Sequence, residues 1–280
     1  MEAFFLNAKG KQRFCLFHSP LQGQAVHGGL LYIHPFAEEM NRARRMVSLQ
    51  AKAFAKAGYA VLQMDLDGCG DSAGDFSGAS WESWLADLAV AWDWLATRVD
   101  APLWLWGLRS GCFLASQFAD QSLNHRANLL FWQPVLSGRQ HLTQFLRLKF
   151  ASDLVRGSPH GFQGSEQLMT HIAAGHTVEV AGYGLSPALA LGLDRATLTA
   201  LRAPAKVICF ELSGSQDEPY SPALQKQILH WKASGCEVAG SALEGPTFWQ
   251  TVETTTCPAL MVASVAAITA MTAITNKGPH

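Results

Sequence analysis

The sequence predicts an α/β fold: a mainly parallel sheet flanked by helices, with an inserted helical cap. Three observations carry this expectation. Short apolar runs alternate with amphipathic helical stretches over most of the chain, as a parallel sheet covered on both faces requires. The run Pro102-Leu-Trp-Leu-Trp-Gly-Leu-Arg-Ser-Gly-Cys112 reads as a strand, a sharp turn bounded by Gly107 and Gly111, and the start of a helix. Between Pro134 and Ala203 the alternation fails, which marks an insertion above the carboxyl edge of the sheet.

The elements follow in order. Residues 3–6 and 13–17 form an opening hairpin around Lys9-Gly10-Lys11. Gly29–His34 is a buried strand. Arg42–Ala57 is a helix whose stripe is Met46, Leu49, Ala53 and Phe54, and Gly58 ends it. Ala60–Asp65 is the next strand. Ser80 caps the helix Trp81–Arg98, with Glu82 and Ser83 in its first turn. Leu103–Trp106 leads into the sharp turn and Ser110–Phe118 leaves it. Asn128–Pro134, Lys206–Leu212 and Glu237–Leu243 are further strands, and Ser221–Ala233 is a helix. Cys257–Asn276 carries no charge and nearly reaches spanning length, but its apolar residues are mostly Ala, with many Thr. These drive membrane insertion weakly, so it reads as a final helix on the sheet with Pro258 in its first turn.

With 280 residues, 49% hydrophobic and 15% charged, the chain has the material for one large core. One domain is expected over 1–280, with the cap at about 138–202. A net charge of −1 leaves no basic excess for phosphate backbones, so nucleic acid is not an expected partner. No signal peptide is read at the start, membrane contact is not expected, and a cytoplasmic protein is. Cys15, Cys69, Cys112, Cys209, Cys236 and Cys257 are scattered, with no C-x-x-C pair, and read as reduced thiols. No histidine pair has metal-ligand spacing with a carboxylate, so neither metal nor cofactor is expected.

The turn Gly107-Leu-Arg-Ser-Gly111 has the form G-x-nucleophile-x-G, in which a strained strand-to-helix turn lifts its third side chain above the sheet. Here the third residue is Arg109, which holds its proton and offers no lone pair. Ser110 comes one position too late.

Other segments extend the pattern. His34-Pro-Phe-Ala-Glu-Glu39 ends the third strand. Asp65-Leu-Asp-Gly-Cys-Gly-Asp-Ser-Ala-Gly74 has the form D-x-x-G-x-G-x-S, and Gly214-Ser-Gln-Asp-Glu-Pro219 follows a later strand. With these the chain resembles the α/β-hydrolase superfamily over nearly its whole length. More narrowly, Trp106–Arg109, Leu130-Phe-Trp-Gln-Pro-Val135, Gly138–Lys149 and Glu179-Val-Ala-Gly-Tyr183 resemble the second hydrolase-like protein associated with the exosortase A system. That system pairs exopolysaccharide production with protein sorting in bacteria. The resemblance implies an α/β-hydrolase fold, an oxyanion loop containing Phe36 with Ser110 as the other donor, and Asp217 as the acid. It also implies exopolysaccharide or sorting machinery as the partner. A histidine belongs where Leu243-Glu-Gly-Pro-Thr-Phe-Trp249 places Thr247. A threonine hydroxyl does no general-base work near neutral pH.

Each candidate has a functional and a structural reading. Arg109 beside a helix start suits a carboxylate or phosphate. Equally, it suits an internal ion pair with Asp217, Glu38 or Glu39, and the two coexist if a ligand competes. Ser110 is a nucleophile or an oxyanion donor with its side chain turned to the helix. Cys112 reads as a core thiol. His34 is the best candidate base, or a structural residue of the loop. His160, His171 and His176 lie in the cap, within reach of the cleft. Glu38 and Glu39 suit the helix N-terminus that follows them. Asp65 and Asp67 stand where they face the cleft or, as the resemblance implies for this turn, serve the structure. Trp104 and Trp106 read as core, while Trp132 and Trp249 flank the cleft edge, lining a pocket or packing.

Two functions follow. The first is a catalytically impaired hydrolase-fold protein that binds an anionic or acyl small molecule or a partner, because Arg109 and Thr247 occupy the nucleophile and histidine positions. The alternative is an ester or thioester hydrolase or acyltransferase using Ser110, with Asp217 and His34, or an activated water.

Overall fold

The computed structural model describes residues 1–121, 127–156, 162, 164–198, 205–213 and 220–275, with side chains for all of these but 151–156, 274 and 275. An antiparallel hairpin opens the chain: β1 (Glu2–Ala8) and β2 (Lys11–His18), turned by Lys9 and Gly10 at positive φ. There follow β3 (Gly28–Ile33), α1 (Glu38–Lys56), β4 (Tyr59–Met64), α2 (Trp81–Ala96), β5 (Leu103–Leu108), α3 (Gly111–Gln121) and β6 (Asn128–Trp132). Next come α4 (Gly138–Arg156), α5 (Ser165–Ala173), β7 (Val178–Val180), β8 (Tyr183–Leu185) and α6 (Pro187–Arg195). The chain closes with β9 (Lys206–Ser213), α7 (Pro222–Ala233), β10 (Glu237–Glu244) and α8 (Pro258–Thr275).

The described strands other than β7 and β8 form one sheet in the order β1-β2-β4-β3-β5-β6-β9-β10. All neighbours from β4 to β10 pair in parallel, and only β1 with β2 and β2 with β4 run antiparallel. Period-two alternation sends the central strands' side chains to two separate cores. Leu31, Ile33, Leu105, Leu129 and Phe131 face α2, α3 and the 138–195 stretch. Leu30, Tyr32, Trp104, Trp106, Leu130 and Trp132 face α1 and α8. Each such side chain, fully buried, stabilises the fold by roughly 1.5–3 kcal/mol.

Trp132 therefore belongs to the core and not to a cleft edge. Its indole N–H donates to Ser264 Oγ of α8 at 2.9 Å. The uncharged tail helix lies on the sheet, and no described helix is long and apolar enough to cross a membrane. All six cysteines are free and buried.

Helix α1 begins at Glu38, a turn earlier than the pattern suggests, because Ala37 takes φ +50° and turns the chain into the helix. Its buried stripe is Met40, Ala43, Met46, Val47, Gln50, Ala51 and Phe54, and Leu49 lies at the margin. Helix α2 starts at a reciprocal capping box: Ser83 N–H donates to Ser80 Oγ at 2.9 Å, and Ser80 N–H to Ser83 Oγ at 3.0 Å.

The 65–74 turn is structural. Arg13, 3% exposed, reaches Asp67 and Asp87 at 2.8 Å each. Asp67 N–H also donates to Asp87 at 2.7 Å. Asp65 accepts from Arg44 at 3.1 Å and from Asp71 N–H at 3.0 Å. Burial pushes the Asp87 carboxyl above its ordinary range, and the Arg13 guanidinium opposes this.

The stretch from 138 to 195 is not wholly helical. Ala181 and Gly182, both at φ between +50° and +86°, form a two-residue turn that joins β7 to β8. Strands of three residues are too short for periodicity to reveal.

Candidate active site

The turn from β5 to α3 has the geometry of an elbow. Arg109 sits at its tip with φ +54°, a left-handed conformation uncommon for a residue with a side chain. Its N–H donates to Trp132 O at 3.0 Å, and its carbonyl accepts from Cys112 N–H at 3.1 Å. Both flanking glycines are required by close approach. A Cβ on Gly107 would meet Cys112 N and Cα at 2.8 Å, and one on Gly111 would drive into the carbonyls of Ile33 and His34.

The Arg109 side chain turns to the start of α1. Its Nε and Nη2 each donate to Glu39 Oε1 at 3.3 Å, with the two side chains 14% and 17% exposed. Burial pushes the Glu39 carboxyl above its ordinary range, and the Arg109 charge pulls it back. The Trp249 ring centroid lies 5.4 Å from the Arg109 guanidinium carbon, within cation–π range.

Above this pair opens a cavity of about 700 Å³. Arg109, Glu38, Glu39, Arg42 and His141 supply its charged and titratable lining, and Gln144 and Gln250 are the amides. Phe36, Phe145, Leu148 and Trp249 make the apolar wall. Phe36 meets Phe145 edge-on at 5.1 Å and His141 at 6.2 Å. Helix α4 brings His141, Gln144, Phe145 and Leu148 to the cavity along one face, at spacings of three, four and seven.

His141 escaped the reading of the sequence, although that helical spacing was its available signal. It is 6% exposed. Burial, and then the Arg109 charge, push its imidazole down to about 3. The ring is therefore neutral in any ordinary buffer. Among the described residues its Nδ1 has no partner, and neither do Glu39 Oε2 and Trp249 Nε1.

Ser110 is buried, at 4% exposure, and does not line the cavity. His34 has both ring nitrogens in hydrogen bonds: Nδ1 lies 2.8 Å from Pro35 O and Nε2 accepts Leu66 N–H at 3.3 Å. That pairing places the proton on Nδ1 and occupies both ring nitrogens. Burial further lowers the His34 pKa. Phe36 lines the cavity. Thr247 is exposed and does not line it, whereas Trp249 and Gln250 of the same loop do.

Glu38 is not a partner of Arg109. It pairs with Arg42 at 3.6 Å, accepts from Tyr183 Oη at 3.0 Å and from Asn41 Nδ2 at 3.1 Å, and so latches the β7–β8 hairpin to α1. His171 and His176 stack on each other at 4.3 Å and do not line the cavity. Asp217 and His160 lie outside the described residues.

The lining thus offers a guanidinium at the elbow tip, a buried carboxyl and a neutral imidazole on an apolar wall. An imidazole with a pKa near 3 is a poor acceptor for a hydroxyl proton. Among the described residues the lining does not assemble a nucleophile with a base.

The chain matches the family model described as Serine aminopeptidase, S33 over residues 24–228. None of the curated proteins matches it. Among solved structures it is similar to Est1E from Butyrivibrio proteoclasticus with ferulic acid bound, at TM-score 0.66 and 13% identity over 96% of this chain and 98% of that one. It is also similar to a soluble variant of monoglyceride lipase from Saccharomyces cerevisiae in complex with a substrate analogue, at TM-score 0.58 and 15% identity over 97% and 94%. The thioesterase domain from the curacin biosynthetic pathway follows, at TM-score 0.52 and 19% identity over 98% and 99%. At these identities the likeness is one of fold.

Proposed function

The chain belongs to the hydrolase family described as Serine aminopeptidase, S33, and within it we propose a member that binds where its relatives hydrolyse. One observation carries this reading: the elbow tip holds Arg109, in the left-handed conformation of that position, with its guanidinium closed onto Glu39. A guanidinium there stabilises negative charge and attacks nothing. Ser110 is buried and does not line the cavity, and both nitrogens of its candidate base His34 are engaged. The ligand is an anionic or acyl small molecule of a size that 700 Å³ admits.

The process served is exopolysaccharide production with exosortase A-dependent sorting, acting from the cytoplasm. The resemblance of the segments around Trp106, Leu130, Gly138 and Glu179 supports this part of the proposal.

A fluorophosphonate probe followed by intact mass tests the chemistry. The natural chain is expected to remain unlabelled. A stoichiometric adduct mapped to Ser110 would overturn the reading and make this a serine hydrolase with displaced geometry.

A further inference from the structure

Three polar atoms of the cavity wall stand without a partner among the described residues: Glu39 Oε2, His141 Nδ1 and Trp249 Nε1. The residues that carry them come from α1, α4 and the loop after β10 and line the same cavity as Arg109, while the three atoms themselves have almost no accessible surface. Unanswered buried polar groups are costly, and their clustering marks this wall as the polar end of the cavity.

The chemistry of the group narrows that occupant. Arg109 and the Trp249 N–H can only donate. A neutral His141 donates from Nδ1 in one of its tautomers, and a protonated Glu39 donates from Oε2. A head that only accepts, with several lone pairs, answers the Arg109 guanidinium that lines the cavity. Phe36, Phe145 and Leu148 continue the cavity as an apolar wall, and Leu148 is half exposed at 50%.

Resting on that binding role, we propose that the cavity takes an amphipathic monocarboxylate whose head replaces Glu39 at the Arg109 guanidinium while its tail lies along Phe36 and Phe145. Glu39 is then the internal stand-in for the ligand. With two carboxylates beside one guanidinium the site would carry an excess negative charge away from water. One proton, taken from solvent onto Glu39 as the ligand enters, removes that excess and turns Oε2 into a donor.

The other titratable groups facing the site from the described elements keep their charge near neutral pH. Glu38 is held below its ordinary range by hydrogen bonds from Asn41 and Tyr183, opposed by partial burial. His141 stays neutral above about 3. Arg42 and Arg109 are the cations that line the cavity.

Titration calorimetry of the full chain with sodium octanoate, and with octan-1-ol as the uncharged match, tests the proposal. One site is expected, with octanoate at least about tenfold tighter than the alcohol and about tenfold weaker for each unit of pH between about 6 and 8, as uptake of one proton requires. R109M is expected to lose that preference, and E39Q to bind octanoate with no dependence on pH. If R109M does not fold, E39Q/R109M leaves no lone charge and serves in its place.

Equal binding of octanoate and octanol, or unchanged affinity in the Arg109 variants, would overturn the carboxylate site. A pH dependence that persists in E39Q would overturn the assignment of the proton. The fluorophosphonate experiment separates the two readings. Labelling of Ser110 with octanoate binding intact sinks the non-hydrolytic role alone. An unlabelled chain that ignores octanoate sinks the carboxylate site alone.

Discussion

Glu39, second residue of α1, places one carboxylate oxygen 3.3 Å from both Nε and Nη2 of Arg109 at the tip of the β5–α3 turn. Seventy residues of sequence separate them. The pair joins the start of α1, which follows β3, to the elbow after β5, and these two strands are neighbours in the sheet.

Both partners are mostly buried, so removing one leaves a charge in poor surroundings. R109M is expected to lower unfolding stability by about 2–3 kcal/mol, less than a fully buried pair because the site retains some access to water. E39Q should cost about 1 kcal/mol, because the amide still accepts from Arg109. In E39Q/R109M the two losses should fall short of additivity by about 1 kcal/mol or more in urea denaturation. Strict additivity would mean that the pair is uncoupled.

His141 sets a pH dependence. Its folded pKa of about 3 lies below the ordinary 6.5, so the unfolded chain takes up this proton first. The stability it contributes is complete above 6.5 and is lost as pH falls toward 3. H141F removes this site while keeping a ring against Phe36. Between these limits the variant should gain on the natural chain by about 1.4 kcal/mol per pH unit. Parallel stability curves for the two proteins would refute the burial of a neutral imidazole.

Gly111 has no room for a methyl group against the carbonyls of Ile33 and His34. G111A is therefore expected to destabilise the fold by at least about 2 kcal/mol, because backbone must move. Gly78, where an added Cβ would meet no heavy atom within 4 Å, is the control. G78A should change stability by less than about 0.5 kcal/mol. Equal thermal midpoints for the two variants would contradict the elbow packing.

Arg13 separates two buried carboxylates. R13M leaves Asp67 and Asp87 facing each other and should cost about 3–5 kcal/mol. R13M/D87N, with one charge fewer, should recover part of that loss. A fully stable R13M would show that the turn does not depend on its cation.

Much of the fold is legible in the sequence because its signals are local. Strand and helix periodicities, the Ser80 cap and the two glycines of the elbow are fixed by neighbours within a few residues. The β7–β8 hairpin is not legible, for the converse reason: three residues do not make a period. Arg109 at the elbow tip is legible as an arginine in the wrong place, and Glu39 stands among its possible partners beside Glu38.

The sequence by itself determined the sheet, the elbow and the absence of an attacking atom at its tip, since each depends on residue type at a fixed local spacing. Only the tertiary structure decided that Glu39 meets Arg109 while Glu38 turns to Arg42 and Tyr183, that Leu66 N–H and Pro35 O occupy His34, and that His141 faces the cavity in place of His171 and His176. Those outcomes depend on which of several chemically equivalent side chains the packing of distant segments brings within hydrogen-bond reach. Spacing along a chain carries no such distance.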